Sequence, residues 1–298
     1  MSDRSYREAT SAALLGLTVN GLLGTAKLVG GIFGNSFALL ADAVNSLGDV
    51  VTSLAILVAL RVAQRPPDTN HPYGHMRAES IAACNVSLLV VLSALLVGWE
   101  AIVRLPVQHP IPPRWTLWIA AINVVVKESL YHYKMRVGRR TGSTALRAAA
   151  WDHRSDALSA FAVLVGLMTI RFGGERLLWA DEIGSLVVVG IIVVSGFRLF
   201  RESASELMDV QADGSLVESI RSCAEQVDNV MQIETLRVRK AGLEYLVDIH
   251  VQVLPTMSVA EGHAVGHSVK DRLLHAFPAI RDVLVHLEPA ASAGSSTG

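Results

Sequence analysis

The 298-residue sequence is poor in charged residues and in cysteine. Charged residues make up 18% of the chain and hydrophobic residues 51%, with a mean hydropathy of +0.40, which excludes an ordinary soluble protein of this length. A formal net charge of −1 lacks the basic surplus of a nucleic-acid-binding protein. Cys84 and Cys223 lie in distant segments, which excludes a disulfide framework and a thiolate metal cluster. A membrane protein is therefore expected.

Apolar segments of suitable length for a lipid bilayer occur six times. Residues 9–26 and 81–99 carry no charge and are close to the roughly 20 residues that a helix needs to cross the hydrocarbon. The beginning of the chain lacks the features of a cleaved signal peptide, so we expect the first helix to be retained. Four further segments contain or border on charged residues, and the sequence predicts six transmembrane helices in all. The four segments are 36–60, 115–131, 143–170 and 179–197.

The distribution of basic residues predicts the orientation of these helices. Lysine and arginine are frequent before the first helix, in alternate loops and after the sixth helix, whereas the opposite side has few. We therefore expect a multi-pass protein of the cell membrane with both termini in the cytoplasm. The basic residues assigned to the cytoplasmic side are Arg4, Arg7, Arg61, Arg65, Arg77, Lys134, Arg136, Arg139, Arg140, Arg198 and Arg201.

After the sixth helix the composition becomes that of a small soluble domain. Helical periodicity over 215–227 and 259–276, and strand-like alternation over 233–239, 245–253 and 282–287, predict the order αββαβ. A capping box of Ser215 and Glu218 is expected to open the first of these helices. The predicted organisation is a transmembrane domain over 1–206, a ferredoxin-like cytoplasmic α+β domain over 207–290 and a disordered tail over 291–298.

Two pairs of polar residues lie inside the predicted spans. Asn45 and Asp49 are four positions apart in the second helix, as are Asp152 and Asp156 in the fifth, so each pair projects from one helical face. An ionisable side chain inside the hydrocarbon costs about 2.5 to 3.5 kcal/mol. If the two faces meet, three carboxylates and one amide oxygen converge, and a divalent metal ion is the expected partner that neutralises them.

A purely structural alternative stays open for the fifth helix. In it, Asp152 pairs with Arg147 or His153, and Asp156 pairs with Arg154, at a salt-bridged helix end. Asp42 is either a further ligand or an acidic residue in the first turn of the second helix, where acids are favoured.

Three motifs occur in a characteristic order: FGNSFALLADAVNSLGDV, HPYGHMRAE and WDHRSD. With them the chain resembles the cation diffusion facilitator family of divalent-metal/proton antiporters. The resemblance implies a homodimeric transporter, not an enzyme, with alternating access and no organic cofactor. It implies one transport site per subunit, between the second and fifth helices, with Asn45, Asp49, Asp152 and Asp156 as ligands.

The ligand set differs from that of the zinc-carrying members, which have histidine in place of Asp152 and aspartate in place of Asn45. His153 does not restore the missing ligand, because one residue turns the helix by about 100°. Four oxygen ligands suit manganese better than zinc, and the set resembles the manganese-exporting type. Export of Mn²⁺ is therefore expected, with a Zn²⁺ or Fe²⁺ exporter of the same family as the alternative.

Exchange for protons is expected from the same residues. Carboxylates bind metal when deprotonated, so protonation on the outer side resets the site. Asp49, Asp152 and Asp156 can titrate, whereas Asn45 cannot, and His153 is a candidate proton relay.

The resemblance also implies two accessory metal sites and a contact between domains. Arg77 and Asp209 match residues that interlock the two domains in the family. A loop site corresponds to Asp68, His71 and His75. The cytoplasmic site corresponds to His250, His263, His286 and Glu288, together with Glu234, which replaces a histidine of the zinc members.

Two functions of other classes are weighed against transport. An intramembrane metalloenzyme is disfavoured because the sequence contains neither an HExxH helix nor a GxSxG elbow. A metal-sensing scaffold that moves no ion differs from a transporter only in flux.

Overall fold

The computed structural model describes residues 2–33, 37–104, 114–173 and 178–290, and the predicted disordered tail lies outside them. Six long helices are followed by a small α+β domain, in the order that the sequence predicts. The long helices are α1 Ser2–Phe33, α2 Phe37–Ala63, α3 Ala78–Arg104, α4 Arg114–Thr141, α5 Thr144–Gly173 and α6 Leu178–Leu207. The remaining elements are α7 Gly214–Glu225, β1 Gln232–Ala241, β2 Glu244–Val253, α8 Val259–Ala276 and β3 Ile280–Pro289.

The long helices extend beyond the apolar segments that predict them. Among the described residues, Arg4–Val29 and Ala78–Leu96 are long and apolar enough to cross a membrane by composition alone. The helix α4 continues past its apolar part to Thr141, where Gly142 adopts a φ of 78°. Glycine is favoured in this left-handed conformation, which commonly ends a helix. Polar ends therefore lengthen these helices beyond what hydropathy predicts.

The helix α5 is central to the membrane unit, since it packs against α2, α3 and α4. Its first turn is anchored by a buried carboxylate of α3: the Ser143 hydroxyl donates to Oε1 of Glu79 at 2.5 Å. The same Ser143 oxygen accepts from the backbone N–H of Leu146 at 3.1 Å and so caps α5. Arg147 then donates to Glu202 of α6 through both terminal guanidinium nitrogens. These contacts fix the position of the helix that carries Asp152 and Asp156.

The second unit begins at Ser205 and contains a three-stranded sheet of order β1-β2-β3. The strands β1 and β2 are antiparallel, whereas β2 and β3 are parallel. The helix α7 packs against β1 and α8 against β3, and the apolar core lies between helices and sheet. The predicted αββαβ order is confirmed. The most deeply buried core side chains are Ile220, Ala224, Val238, Ile249, Val251, Val269 and Leu273.

The predicted capping box of Ser215 and Glu218 is wrong. The N-cap of α7 is Asp213, whose carboxylate accepts from the backbone N–H of Ser215 at 2.9 Å. Asp213 has the non-helical backbone that an N-cap requires, whereas Ser215 already lies inside the helix. A capping box does occur at α8, where Ser258 and Glu261 bind each other's backbone N–H groups.

Candidate metal centre

A polar stripe on α2 carries Asp49 toward the helix bundle. Ser46, Asp49 and Ser53 are buried and recur every three or four residues, which places them on one helical face. Asn20 of α1 donates to Oγ of Ser53 at 3.2 Å and to the backbone oxygen of Asp49 at 3.5 Å. Asn45 also lies on α2, but its side chain and that of Asp42 lie outside the described residues.

The carboxylates of α2 and α5 meet at a lysine of α4. The Lys127 ammonium lies 2.5 Å from Oδ2 of Asp49 and 2.8 Å from Oδ2 of Asp156. Its side chain is only 2% exposed. The structure thus brings Asp49 of α2 and Asp156 of α5 to one cationic centre. A divalent metal ion is the partner expected from the sequence, whereas an ammonium contacts both carboxylates here.

Sequence reasoning missed Lys127. Its signal in the sequence is a basic residue within the predicted span 115–131. Because an intramembrane lysine normally faces a carboxylate or a cavity, the position of Lys127 inside this segment is informative.

The arginines proposed as structural partners of the α5 aspartates bind other residues. Arg147 binds Glu202, and Arg154 lies 3.8 Å from Oε1 of Glu128 with its guanidinium 4.3 Å above the ring of Tyr131. The pairing of Asp156 with Arg154 is therefore replaced by the contact with Lys127.

Asp152 and His153 occupy different surroundings although they are consecutive. Asp152 is half-buried and interacts electrostatically with Asp49, Asp156 and Lys134. His153 is buried, with Nε2 2.8 Å from the Lys134 ammonium. The Lys134 side chain packs against Gly16 of α1, where a Cβ atom on residue 16 would lie 2.3 Å from Nζ of the lysine. Lys134 is thus a second buried cation near the aspartates. The role of His153 as a proton relay stays a prediction.

The loop residues Asp68, His71 and His75 are brought together by a turn. Nδ1 of His71 lies 3.2 Å from Oδ1 of Asp68, and Nε2 of His75 lies 3.4 Å from Oδ2. Backbone N–H groups of His71 and Asn70 donate to Asp68, and the bond from His71 is the largest cause of a lowered pKa of Asp68. Gly74 at a φ of 86° closes the turn. Ligand atoms of the three residues lie within 4.8 Å of one another, which fits a divalent cation.

The cytoplasmic group forms where β2 and β3 run side by side. His250 pairs in register with His286, and Gln252 pairs with Glu288, so the alternation of side chains puts the two histidines and Glu288 on one face. Nδ1 of His250 and Nε2 of His286 lie 2.6 and 3.5 Å from Oε1 of Glu288. This nitrogen and oxygen donor set also fits a divalent cation.

Glu234 reaches this group from a break in the β1–β2 register. The register shifts between Ile233 and Thr235, so Glu234 occupies a β-bulge, which redirects a side chain. A hydrogen bond with Glu234, followed by one with His250, lowers the pKa of Glu288 from its ordinary value. Glu234 thus lies beside Glu288, and its role as a metal ligand stays a prediction.

Two further residues of the implied sets have contacts within the cytoplasmic unit. His263 is exposed on α8, and its ring lies 4.5 Å from that of His267. Asp209 lies 3.8 Å from Nε of Arg239 within the cytoplasmic unit. The interlock of Arg77 with Asp209 stays a prediction.

Protein-family models match nearly the whole chain. The cation efflux transmembrane domain matches residues 13–208, and the cytoplasmic domain of cation efflux proteins, ZT_dimer, matches residues 212–290. The chain belongs to the cation diffusion facilitator family. It is a membrane transporter for cation efflux, not an enzyme, with six helices in its transmembrane domain, and a homodimer fits its second domain.

Relatives of this cation diffusion facilitator cover most of its length. The manganese efflux system protein MneP of Bacillus subtilis is 32% identical over 97% of this chain and 99% of its own. Metal tolerance protein 2 of rice (Oryza sativa subsp. japonica) is 32% identical over 96% of this chain and 78% of its own. Among solved structures, the MamM CTD is 24% identical with a TM-score of 0.25, covering 26% of this chain and 99% of that one.

Proposed function

We propose that the protein exports Mn²⁺ from the cytoplasm in exchange for protons, through a site formed by Asn45, Asp49, Asp152 and Asp156. The observation that carries the proposal is the convergence of Asp49 of α2 and Asp156 of α5 on one buried cation. Acidic residues from two helices at one cationic point are what a transport site for a divalent cation requires.

The choice of manganese rests on ligand chemistry and on the relatives. Carboxylate and amide oxygens suit Mn²⁺, whereas tetrahedral zinc sites favour histidine and cysteine. Two relatives at 32% and 30% identity, MneP and MneS, are named manganese efflux system proteins. Zn²⁺ and Fe²⁺ are the competing substrates within the same site.

Coupling to protons follows from the energy that export needs. Moving Mn²⁺ out against an inside-negative potential costs about 4.6 kcal/mol per 100 mV. A proton that enters the cell releases energy, and exchange uses this energy to drive Mn²⁺ export, which a uniporter cannot do. We place the two termini, the loop site and the α+β domain on the cytoplasmic side of the cell membrane.

Flux in proteoliposomes tests the proposal. The purified protein is expected to move Mn²⁺ faster than Fe²⁺, Zn²⁺ or Cd²⁺, and Asp49→Asn and Asp156→Asn are each expected to lower the initial rate at least about tenfold, since each removes a charged ligand. As a matched control, Asp282→Asn removes an exposed carboxylate that binds Lys270 in the cytoplasmic unit, and it should leave the rate unchanged. Faster transport of zinc than of manganese would contradict the metal assignment, and absence of flux would favour a sensing scaffold.

A further inference from the structure

The helix α4 places a cation at the point where the proposed ligands of α2 and α5 meet. Lys127 donates to Oδ2 of Asp49 at 2.5 Å and to Oδ2 of Asp156 at 2.8 Å. The lysine is 2% exposed, Asp49 9% and Asp156 23%, so water screens the contact with Asp49 least. Both contacts are charge-assisted hydrogen bonds, which are short and strong.

A transported ion needs the oxygens that Lys127 occupies. Divalent metals lie about 2.0 to 2.6 Å from carboxylate oxygens, so an ion bound to Oδ2 of Asp49 lies within about 5 Å of the ammonium. Two positive charges at that separation in a buried site repel each other strongly. Ion and ammonium therefore compete for the same pair of carboxylates.

We propose that Lys127 is a tethered counter-ion that offsets one of the two negative charges of Asp49 and Asp156 while the carrier returns without metal, and that the transported divalent cation displaces it. The inference rests on the proposed function and extends it to α4, which supplies none of the proposed ligands. Lysine suits this task because its compact charge sits on a flexible four-carbon stem.

The ammonium is expected to weaken the binding of the metal ion and to ease the return of the empty carrier. Competition from the ammonium weakens metal binding, which helps release on the far side. On the return step, the ammonium offsets one of the two carboxylate charges, which leaves only the other for an entering proton to neutralise. Removal of the charge should therefore tighten binding and slow the return.

Two modes of flux separate these effects. Net uptake of radioactive Mn²⁺ into vesicles without internal metal requires the carrier to return empty, whereas exchange with internal Mn²⁺ allows it to return loaded. Lys127→Met retains the length of the side chain without its charge. It is expected to lower net uptake at least tenfold, to keep exchange within twofold of the wild type, and to tighten Mn²⁺ binding in detergent at least tenfold.

Charge-conserving and matched variants complete the experiment. Lys127→Arg should restore net uptake to within about threefold of the wild type, because a guanidinium also binds two carboxylates. Lys134→Met removes a buried ammonium from the same helix, one that contacts His153 instead, and should not separate net uptake from exchange. Lys127→Gln serves as a second neutral variant if Lys127→Met is not monodisperse in detergent.

Three results would overturn the inference. The first is weaker Mn²⁺ binding in the neutral Lys127 variants. The second is that net uptake and exchange change equally, or not at all, in these variants. The third is a difference of the same size between net uptake and exchange in Lys134→Met. Weaker binding would mean that the lysine supports the ligands rather than competing with the ion. If the wild type itself shows neither mode of flux, the proposed function fails instead.

Discussion

At the scale of single residues, Asp152 is the position expected to set metal preference. The resemblance to the family implies a ligand here, with a carboxylate in place of the histidine of zinc-carrying members, and Asp152 lies in electrostatic range of Asp49 and Asp156. Zinc favours imidazole far more than manganese does. Asp152→His should therefore raise the ratio of Zn²⁺ to Mn²⁺ transport at least about fivefold in proteoliposomes.

Asp152→Asn serves as the control, because it removes the carboxylate charge without adding an imidazole. It should lower transport of both metals without raising the ratio. An unchanged ratio in Asp152→His, with transport intact, would show that residue 152 does not bind the ion.

The residues of the site differ in how far the sequence predicts them. The spacing of Asp152 and Asp156 suffices to put them on one face of α5, because helical periodicity is local. Lys127 is 29 positions before Asp156 and 78 after Asp49, and its contacts depend on how α4 packs. An isolated charge within an apolar segment indicates a partner, but only the packing of helices identifies that partner.

At the scale of elements, the anchor of α5 should matter for stability. The Glu79 carboxylate is buried, accepts from the Ser143 hydroxyl and from the backbone N–H of Ala145, and so joins α3 to the start of α5. Glu79→Gln keeps the shape but loses the charge of the acceptor, at a cost of about 1 to 3 kcal/mol. The midpoint of thermal unfolding in detergent should fall by several degrees.

A surface pair provides the comparison for Glu79. Glu8→Gln removes a carboxylate that binds the exposed guanidinium of Arg140, an interaction worth about 1 kcal/mol or less. Its unfolding midpoint should change little. Equal shifts in the two variants would argue against Glu79 as the anchor of α5.

The cytoplasmic strands show the same division between local and non-local information. Alternation predicts that His250 and Gln252 share a face, as do His286 and Glu288. Neither the parallel pairing of β2 with β3 nor the bulge that carries Glu234 is local information. The register that brings the histidines together is that of the parallel pairing of β2 with β3, which also keeps the apolar side chains of both strands in the core under the helices.

At the scale of the whole molecule, exchange for protons is the property to test. Mn²⁺ that enters vesicles should acidify the outside, and an acidic lumen should speed its entry several-fold, because protons leave as the metal enters. A pH-sensitive dye outside the vesicles measures the first effect. Asp49→Asn vesicles should show neither effect, and a wild-type rate that does not respond to the gradient would refute coupling.

The sequence by itself determined the class of protein and its modular order. Hydropathy, charge distribution and periodicity are local properties of the sequence. They suffice to predict six membrane helices, an αββαβ domain, and a pair of polar residues on one face of each of α2 and α5. Only the tertiary structure decided which charges meet. The contacts of Lys127 with Asp49 and Asp156, of Glu79 with Ser143, and of His250 with Glu288 join residues distant in sequence, because helix and strand packing, not periodicity, sets those distances.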